Sequence, residues 1–394
     1  MKKIILLFII ILFKNTDGLA QNKPLIDVEK QFSLAAKQYE GMLATHKDLT
    51  QFPQSTKKNG EADNRTSDWW CSGFFGGSLW YLYEYTGAEK WKSAADQWTK
   101  ALEKEKYNTK THDLGFMLYC SYGNGYRITQ NSEYIEPLIT GANSLSTRFN
   151  PAYGLIKSWD KHADCEYPVI IDNMMNLEFL LWAAKQTKDK KMYDIAITHA
   201  DNTLKHHFRK DYSSFHVVCY LPGTKVFRKK THQGAADSSA WARGQAWAMY
   251  GYALMYRETK DKKYLKQAEG IARFIINHPN LPQDKIPYWD FNAPNIPDAL
   301  RDASAGAVMS SALFELSQYA AAKEARVYFS TAEKMLKSLC GAPYQSLPDT
   351  NAGFLLQHSV GHLPQKSEVD VPLTYADYYY VEAMKRYKAA GSIK

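Results

Sequence analysis

LLWAAKQTKDKKMY (Leu180–Tyr193) and LMYRETKDKKYL (Leu254–Leu265) share the run TKDKK. Each closes an apolar helix on Thr, crosses a short polar turn and opens a second helix on Tyr or Met. LWYLYEYTGAEKW (Leu79–Trp91) and GNGYRITQNSEY (Gly123–Tyr134) follow the same plan, with Thr86 and Thr129 in the place of Thr187 and Thr259. A weaker fifth copy is LFELSQYAAAKEARVYF (Leu313–Phe329). The segment around Leu25–Leu43 and the helix YADYYYVEAMKRYK (Tyr375–Lys388) supply the halves of a sixth. A short turn between apolar helices makes each unit an antiparallel pair, and repeated pairs must bury their faces on their neighbours. Six pairs, one built from the two chain ends, predict an all-α fold: a closed (α/α)6 toroid, with an open solenoid as the alternative. The strongest strand signal is SFHVVCYL (Ser214–Leu221).

Counting back from each Thr finds the start of its helix. Sixteen residues before Thr86, Thr129 and Thr259 stand Trp70, Asp113 and Arg243; fifteen before Thr187 stands Asp172. Equivalent positions of a closed repeat share one rim, so these four are expected around one mouth, with helix N-termini aimed into it. The plain alternative for either aspartate is helix capping. Arg243 fits that alternative poorly, because the dipole disfavours a cation at a helix start. It stands between Trp241 and Trp247, and a buried arginine needs an anion. Carboxyl groups, a stacking Trp and an Arg are the ingredients of a sugar-acid site.

Composition narrows the class. The 394-residue chain is 45% hydrophobic, enough for one large core, and carries 27 Tyr and 10 Trp. Any one aromatic is more often core filler than sugar platform. The formal charge of +8 is not gathered into blocks, which argues against nucleic acid as a partner. MKKIILLFIIILFKNTDGLAQN opens with Lys2, Lys3 and ten apolar residues, too few to span a bilayer. It reads as a secretory signal peptide over residues 1–20, leaving one catalytic domain over 21–394 in the periplasm, expected to be monomeric. The five cysteines are scattered and lack any C-x-x-C, so neither a metal site nor a disulfide is suggested.

Six motifs in order, WWCSGFFGGSLWYLYEYTG (Trp69–Gly87), HDLGFM, IIDNMMNLEFLLWAA, HQGAADSSAWARGQAWAMYGYAL (His232–Leu254), DASAGAVMSSALFELS and YADYYYVEAMKRY, resemble the unsaturated glucuronyl hydrolases of glycoside hydrolase family 88. The resemblance implies an (α/α)6 toroid and a cofactor-free hydrolase. Its substrate would be an oligosaccharide, of glycosaminoglycan type, ending in a 4,5-unsaturated uronic acid. By position, Asp172 matches the general acid/base and Asp113 the second essential carboxyl. His216, Gln233 and Arg243 match substrate contacts; Trp70, Trp159, Trp241 and Trp247 match an aromatic lining; His362 matches a late histidine. On this reading the anion of Arg243 is the uronate carboxylate, with Trp241 and Trp247 as walls. Lys366, in the loop before the last helix, is expected to meet a sulfate on the second sugar, against the plainer role of a solvated lysine.

Three other readings compete. One is a sister hydrolase acting on unsaturated rhamnogalacturonan fragments. Another is a glycan-binding protein without activity, which two retained aspartates argue against. The third is a sugar epimerase on the same toroid, for which several histidines at the mouth would be the sign.

Overall fold

The computed structural model describes residues 25–160, 162 and 164–391; the expected signal peptide lies outside them. Among the described residues no helix is long and apolar enough to cross a membrane. The helices in chain order are α1 (Val28–Thr45), α2 (Ser72–Thr86), α3 (Glu89–Lys100), α4 (Asn124–Thr129), α5 (Ile135–Ser146), α6 (Leu177–Thr187), α7 (Lys190–His206), α8 (Ala242–Thr259), α9 (Lys262–Asn277), α10 (Ala303–Leu316), α11 (Ala322–Leu339) and α12 (Thr374–Gly391). They form six antiparallel pairs in a closed double ring. The inner members are buried on all sides: every residue of α8 from Ala242 to Met255 and every residue of α10 is withdrawn from solvent. Such helices belong in a core, whereas α3, α9 and α11 bury one stripe each and form the outer ring.

The repeated Thr explains how each pair is hinged. The hydroxyls of Thr86, Thr129, Thr187 and Thr259 donate to the carbonyl four residues back, at 2.7–2.8 Å. Each also accepts the N–H two residues on, at 3.2 Å. Between them sits one left-handed residue, Gly87, Gln130, Lys188 or Lys260. One side chain thus satisfies groups on both sides of the turn. In the third and fourth copies an aspartate, Asp189 or Asp261, then caps the outgoing helix.

The ring closes between the chain ends. Helix α12 packs between α2 and α10. Its Glu382 accepts the hydroxyls of Tyr81 and Tyr250 at 3.0 Å, and that of Ser311, so one carboxylate joins three other inner helices. Helix α1 backs α12 from outside, where the Tyr380 hydroxyl donates to Gln31 at 2.9 Å. Close approach needs missing side chains: a Cβ on Gly73 would lie 2.2 Å from the Phe116 carbonyl oxygen, and one on Gly77 would lie 2.4 Å from that of Cys120.

Two features differ from the expected all-helical plan. The helix entering α4 is π-helical from Gly115 to Gly123, with the Phe116 N–H captured by Asn176 Oδ1 at 3.0 Å. Among the described residues, four small antiparallel sheets form in the long connections at the rim opposite the Thr turns. These are β1 (Phe52–Thr56) with β2 (Ala62–Arg65), β3 (Phe149–Asn150) with β4 (Leu155–Ile156), β5 (Tyr167–Ile170) with β6 (Val217–Leu221) and β7 (Lys225–Lys230), and β8 (Ser359–His362) with β9 (Ser367–Val371). The strand expected at 214–221 is β6.

The reading of the cysteines is corrected: Cys165 and Cys219 form a disulfide, while Cys71, Cys120 and Cys340 are free. Scattered spacing hid the pair, because sheet pairing of β5 with β6 brings together residues 54 positions apart. Replacing both cysteines by Ala should lower stability by about 2–4 kcal/mol. The check is a denaturant midpoint compared with that of the oxidised and the reduced wild type; a midpoint indifferent to all three states would show that the bridge contributes nothing.

Candidate active site

The helix starts do converge. Trp70 precedes α2, Asp113 precedes the π-helical stretch, Asp172 lies in the short 3-10 helix Ile171–Asn176 leading into α6, and Arg243 is the second residue of α8. All four line one pocket of about 230 Å³. Neither aspartate is a side-chain cap. Asp113 Oδ2 accepts from the Thr111 hydroxyl at 3.1 Å and lies 3.2 Å from His112 Nε2. Asp172 Oδ2 is buried without a hydrogen-bond partner, 3.7 Å from His216 Nε2.

The two carboxyls hold protons far above the usual aspartate range. Burial pushes Asp172 up to about 7; the charge of Arg243 opposes the rise and Asp113 adds to it. Burial likewise pushes Asp113 up to about 7, against hydrogen bonds from Thr111 and Asn176. Burial pushes the pocket histidines the other way: His232 and His362 fall to about 4, and His112 and His216 fall well below the ordinary imidazole value. At neutral pH the groups poised to give and take protons are therefore the aspartates.

Arg243 already meets an anion of the protein itself, Asp302. Its side chain is buried, and Nη1 meets Asp302 Oδ2 at 3.1 Å and the Val360 carbonyl at 2.5 Å, while Nη2 donates to the Gly361 carbonyl at 2.7 Å. The other oxygen of Asp302 caps α10. The protein matches its own guanidinium, and only Nε is left without a partner. Gln233 also lines the pocket, but its amide is held by the same Gly361 carbonyl at 2.9 Å.

Other expectations are corrected in the same way. Trp247 is fully buried and packs on Phe116 and Tyr379 beneath the site. Trp241 is buried between Arg243, 4.6 Å from its ring, and His216, 4.4 Å away. Both are supports and not walls. His216 stands behind Asp172, outside the lining. Trp70, Trp159 and His362 do line the pocket, whereas Lys366 is exposed between the lining residues Gln365 and Ser367. His112, His232, Trp69, Glu368 and Tyr375 line it too and were missed. Tyr375 and Asp302 stand at the starts of α12 and α10, inner helices that lack the closing Thr from which the others are counted. His232 follows β7 and its Nε2 lies 3.1 Å from His362 Nε2. Histidines thus crowd the mouth, and their number does not separate a hydrolase from an epimerase. Among the described residues no group of His, Cys, Asp and Glu could hold a metal ion.

Two outcomes are expected. Asp302→Ala strands a buried guanidinium and should cost about 3–5 kcal/mol, read from denaturant unfolding; a loss within error of zero would mean that the pair is dispensable. A carboxyl raised from 3.8 to about 7 in the folded state carries no penalty below about pH 4 and its full cost above about pH 7. Asp172→Asn removes that cost. Its melting temperature should exceed that of wild type at pH 8, with the difference closing by pH 4; a variant less stable than wild type at pH 8 would contradict the raised value.

Comparison with known proteins agrees with this fold. The chain is 44% identical over 364 residues to an unsaturated glucuronyl hydrolase of Formosa agariphila, covering 91% of this chain and 90% of that one. It is 33% identical over 330 residues to an unsaturated chondroitin disaccharide hydrolase of Streptococcus pneumoniae, covering 81% of each. A crystal structure of an unsaturated glucuronyl hydrolase specific for heparin superposes with a TM-score of 0.90 at 47% identity, covering 93% of this chain and 98% of that one. Residues 42–392 match the model of Glycosyl Hydrolase Family 88, and the chain belongs to that family.

Proposed function

We propose that the protein is an unsaturated glucuronyl hydrolase, removing the 4,5-unsaturated uronic acid from the non-reducing end of lyase-generated oligosaccharides of glycosaminoglycan type. The observation that carries the reading is Asp172: a buried carboxyl still protonated near pH 7, beside a second carboxyl and one guanidinium, in a pocket walled by tryptophans. The substrate's C4=C5 bond is conjugated to the ring oxygen, so C4 is nucleophilic. Asp172 delivers its proton to C4, and positive charge develops at C5 and the ring oxygen. The Asp172 carboxylate then takes a proton from a water that adds at C5. The hemiketal so formed opens and expels the remainder of the chain. No enzyme group attacks C1, so the carboxyl-separation rule of ordinary glycosidases does not apply. Asp113 raises the proton affinity of Asp172, and Arg243 opposes it. With both Nη1 protons and one Nη2 proton engaged, Arg243 attracts the uronate through its field and the N–H groups left on Nε and Nη2. The Cys165–Cys219 bridge supports action in an oxidising compartment, in keeping with the signal-like N-terminus.

The test is loss of the double-bond absorbance in the ultraviolet on unsaturated disaccharides from heparin, chondroitin and hyaluronan. Asp172→Asn should lower kcat by about 10²–10⁴-fold while keeping the wild-type fold by circular dichroism. A near-wild-type rate in that variant, or no turnover of any of the three substrates by wild type, would overturn the reading.

A further inference from the structure

His216 is the one buried titratable group beside the reacting carboxyl that the steps above leave unused. Its Nδ1 accepts two backbone hydrogen bonds, from the His232 and Gln233 N–H groups, each at 3.2 Å. A ring nitrogen that accepts cannot also carry a proton, so in the neutral ring the proton sits on Nε2. Doubly protonated imidazole is excluded as well, since it would place an N–H against two N–H groups. Nε2 points at Asp172 Oδ2 across 3.7 Å, and both atoms are buried with no other hydrogen-bond partner. That distance exceeds a formed hydrogen bond by about half an ångström, the kind of slack that active sites close on binding. The ring is held in place by Trp241, whose ring lies 4.4 Å away at a tilt of 31°.

We propose that His216 is a positioning residue, locked as the Nε2–H tautomer, that donates a hydrogen bond to Asp172 Oδ2 when Asp172 gives up its proton. The proposal rests on the reading of Asp172 as proton donor. The donor is neutral, so it stabilises the carboxylate without competing to protonate the substrate. Its neutrality is enforced from every side: Asp172 faces it from the turn before α6, Arg243 from α8, His232 from the end of β7, His162 from the loop before β5 and His362 from β8. Except for Asp172, each of these opposes a second proton on the ring, and burial opposes it more. The loop after β7 is thereby tied to the chemistry: the same two residues that fix the tautomer, His232 and Gln233, line the pocket.

Two arms test this. In the first, ¹⁵N-labelled histidine in the wild-type protein is read by long-range ¹H–¹⁵N spectra, with His216 identified by its absence in His216→Gln. The expected result is an unprotonated Nδ1 and a protonated Nε2 that do not titrate between pH 5 and 8; an Nδ1–H tautomer, or a second proton taken up in that range, overturns the proposal. This arm needs no substrate, so it stands apart from the proposed activity. In the second, the pH dependence of kcat/KM is compared in wild type, His216→Leu and His216→Gln. Losing a donor to the carboxylate should move the alkaline limb of His216→Leu up by about 1 pH unit. His216→Gln, which keeps an N–H donor, should return most of that shift. An alkaline limb at the same pH in all three would leave His216 a packing residue and overturn the proposal.

Discussion

Arg243 and Asp302 meet at 3.1 Å with both side chains withdrawn from solvent, and the mouth of the toroid is organised around them. Charges so buried are tolerated when paired and hydrogen-bonded, and here the remaining bonds reach in three directions. Asp302 also caps α10, Arg243 also holds the carbonyls of Val360 and Gly361 on β8, and Trp241 lies against the guanidinium. Two inner helices, one sheet and the supporting ring of Trp241 are fixed by a single ionic contact. The positive charge that opposes the raised proton affinity of Asp172 is therefore held in place by the fold.

The same contact shows why the site is poor in stabilising terms. Asp113, Asp172 and Glu368 all face a pocket with one guanidinium already spoken for, and burial raises the proton affinity of each. Carboxyls in that position oppose folding as the pH rises. The toroid bears this because its cohesion comes from elsewhere, from the nearly unbroken apolar packing between rings and from the Glu382 junction on the axis.

Much of this was legible in the sequence because repetition converts spacing into position. The Thr turns fixed the phase of the inner helices, and the phase placed Trp70, Asp113, Asp172 and Arg243 on one rim. What spacing does not carry is side-chain direction. Trp241 and Trp247 lie at a helix start, yet are buried outside the pocket lining, and His216 stands just before a strand whose pairing no local pattern announced. The anion of Arg243 was missed because its partner is 59 residues further on, in a different repeat. The disulfide escaped for the same reason.

Ring closure has a consequence for the order in which the molecule comes into being. Tyr81 and Tyr378, neighbours across the closing seam, stand 297 residues apart in sequence. While a chain of this kind is being synthesised, five inner helices exist before the sixth, and the hydroxyls of Tyr81, Tyr250 and Ser311 wait for the carboxylate of Glu382. Contacts so distant along the chain are paid for in loop entropy before they are rewarded, which slows folding and leaves apolar helix faces uncovered in the interval. The pocket shares this dependence. Both aspartates and the arginine are made early, but Gly361, Glu368 and Tyr375 arrive with the last segment. Catalytic competence is thus acquired in one late step, when the two ends of the chain find each other.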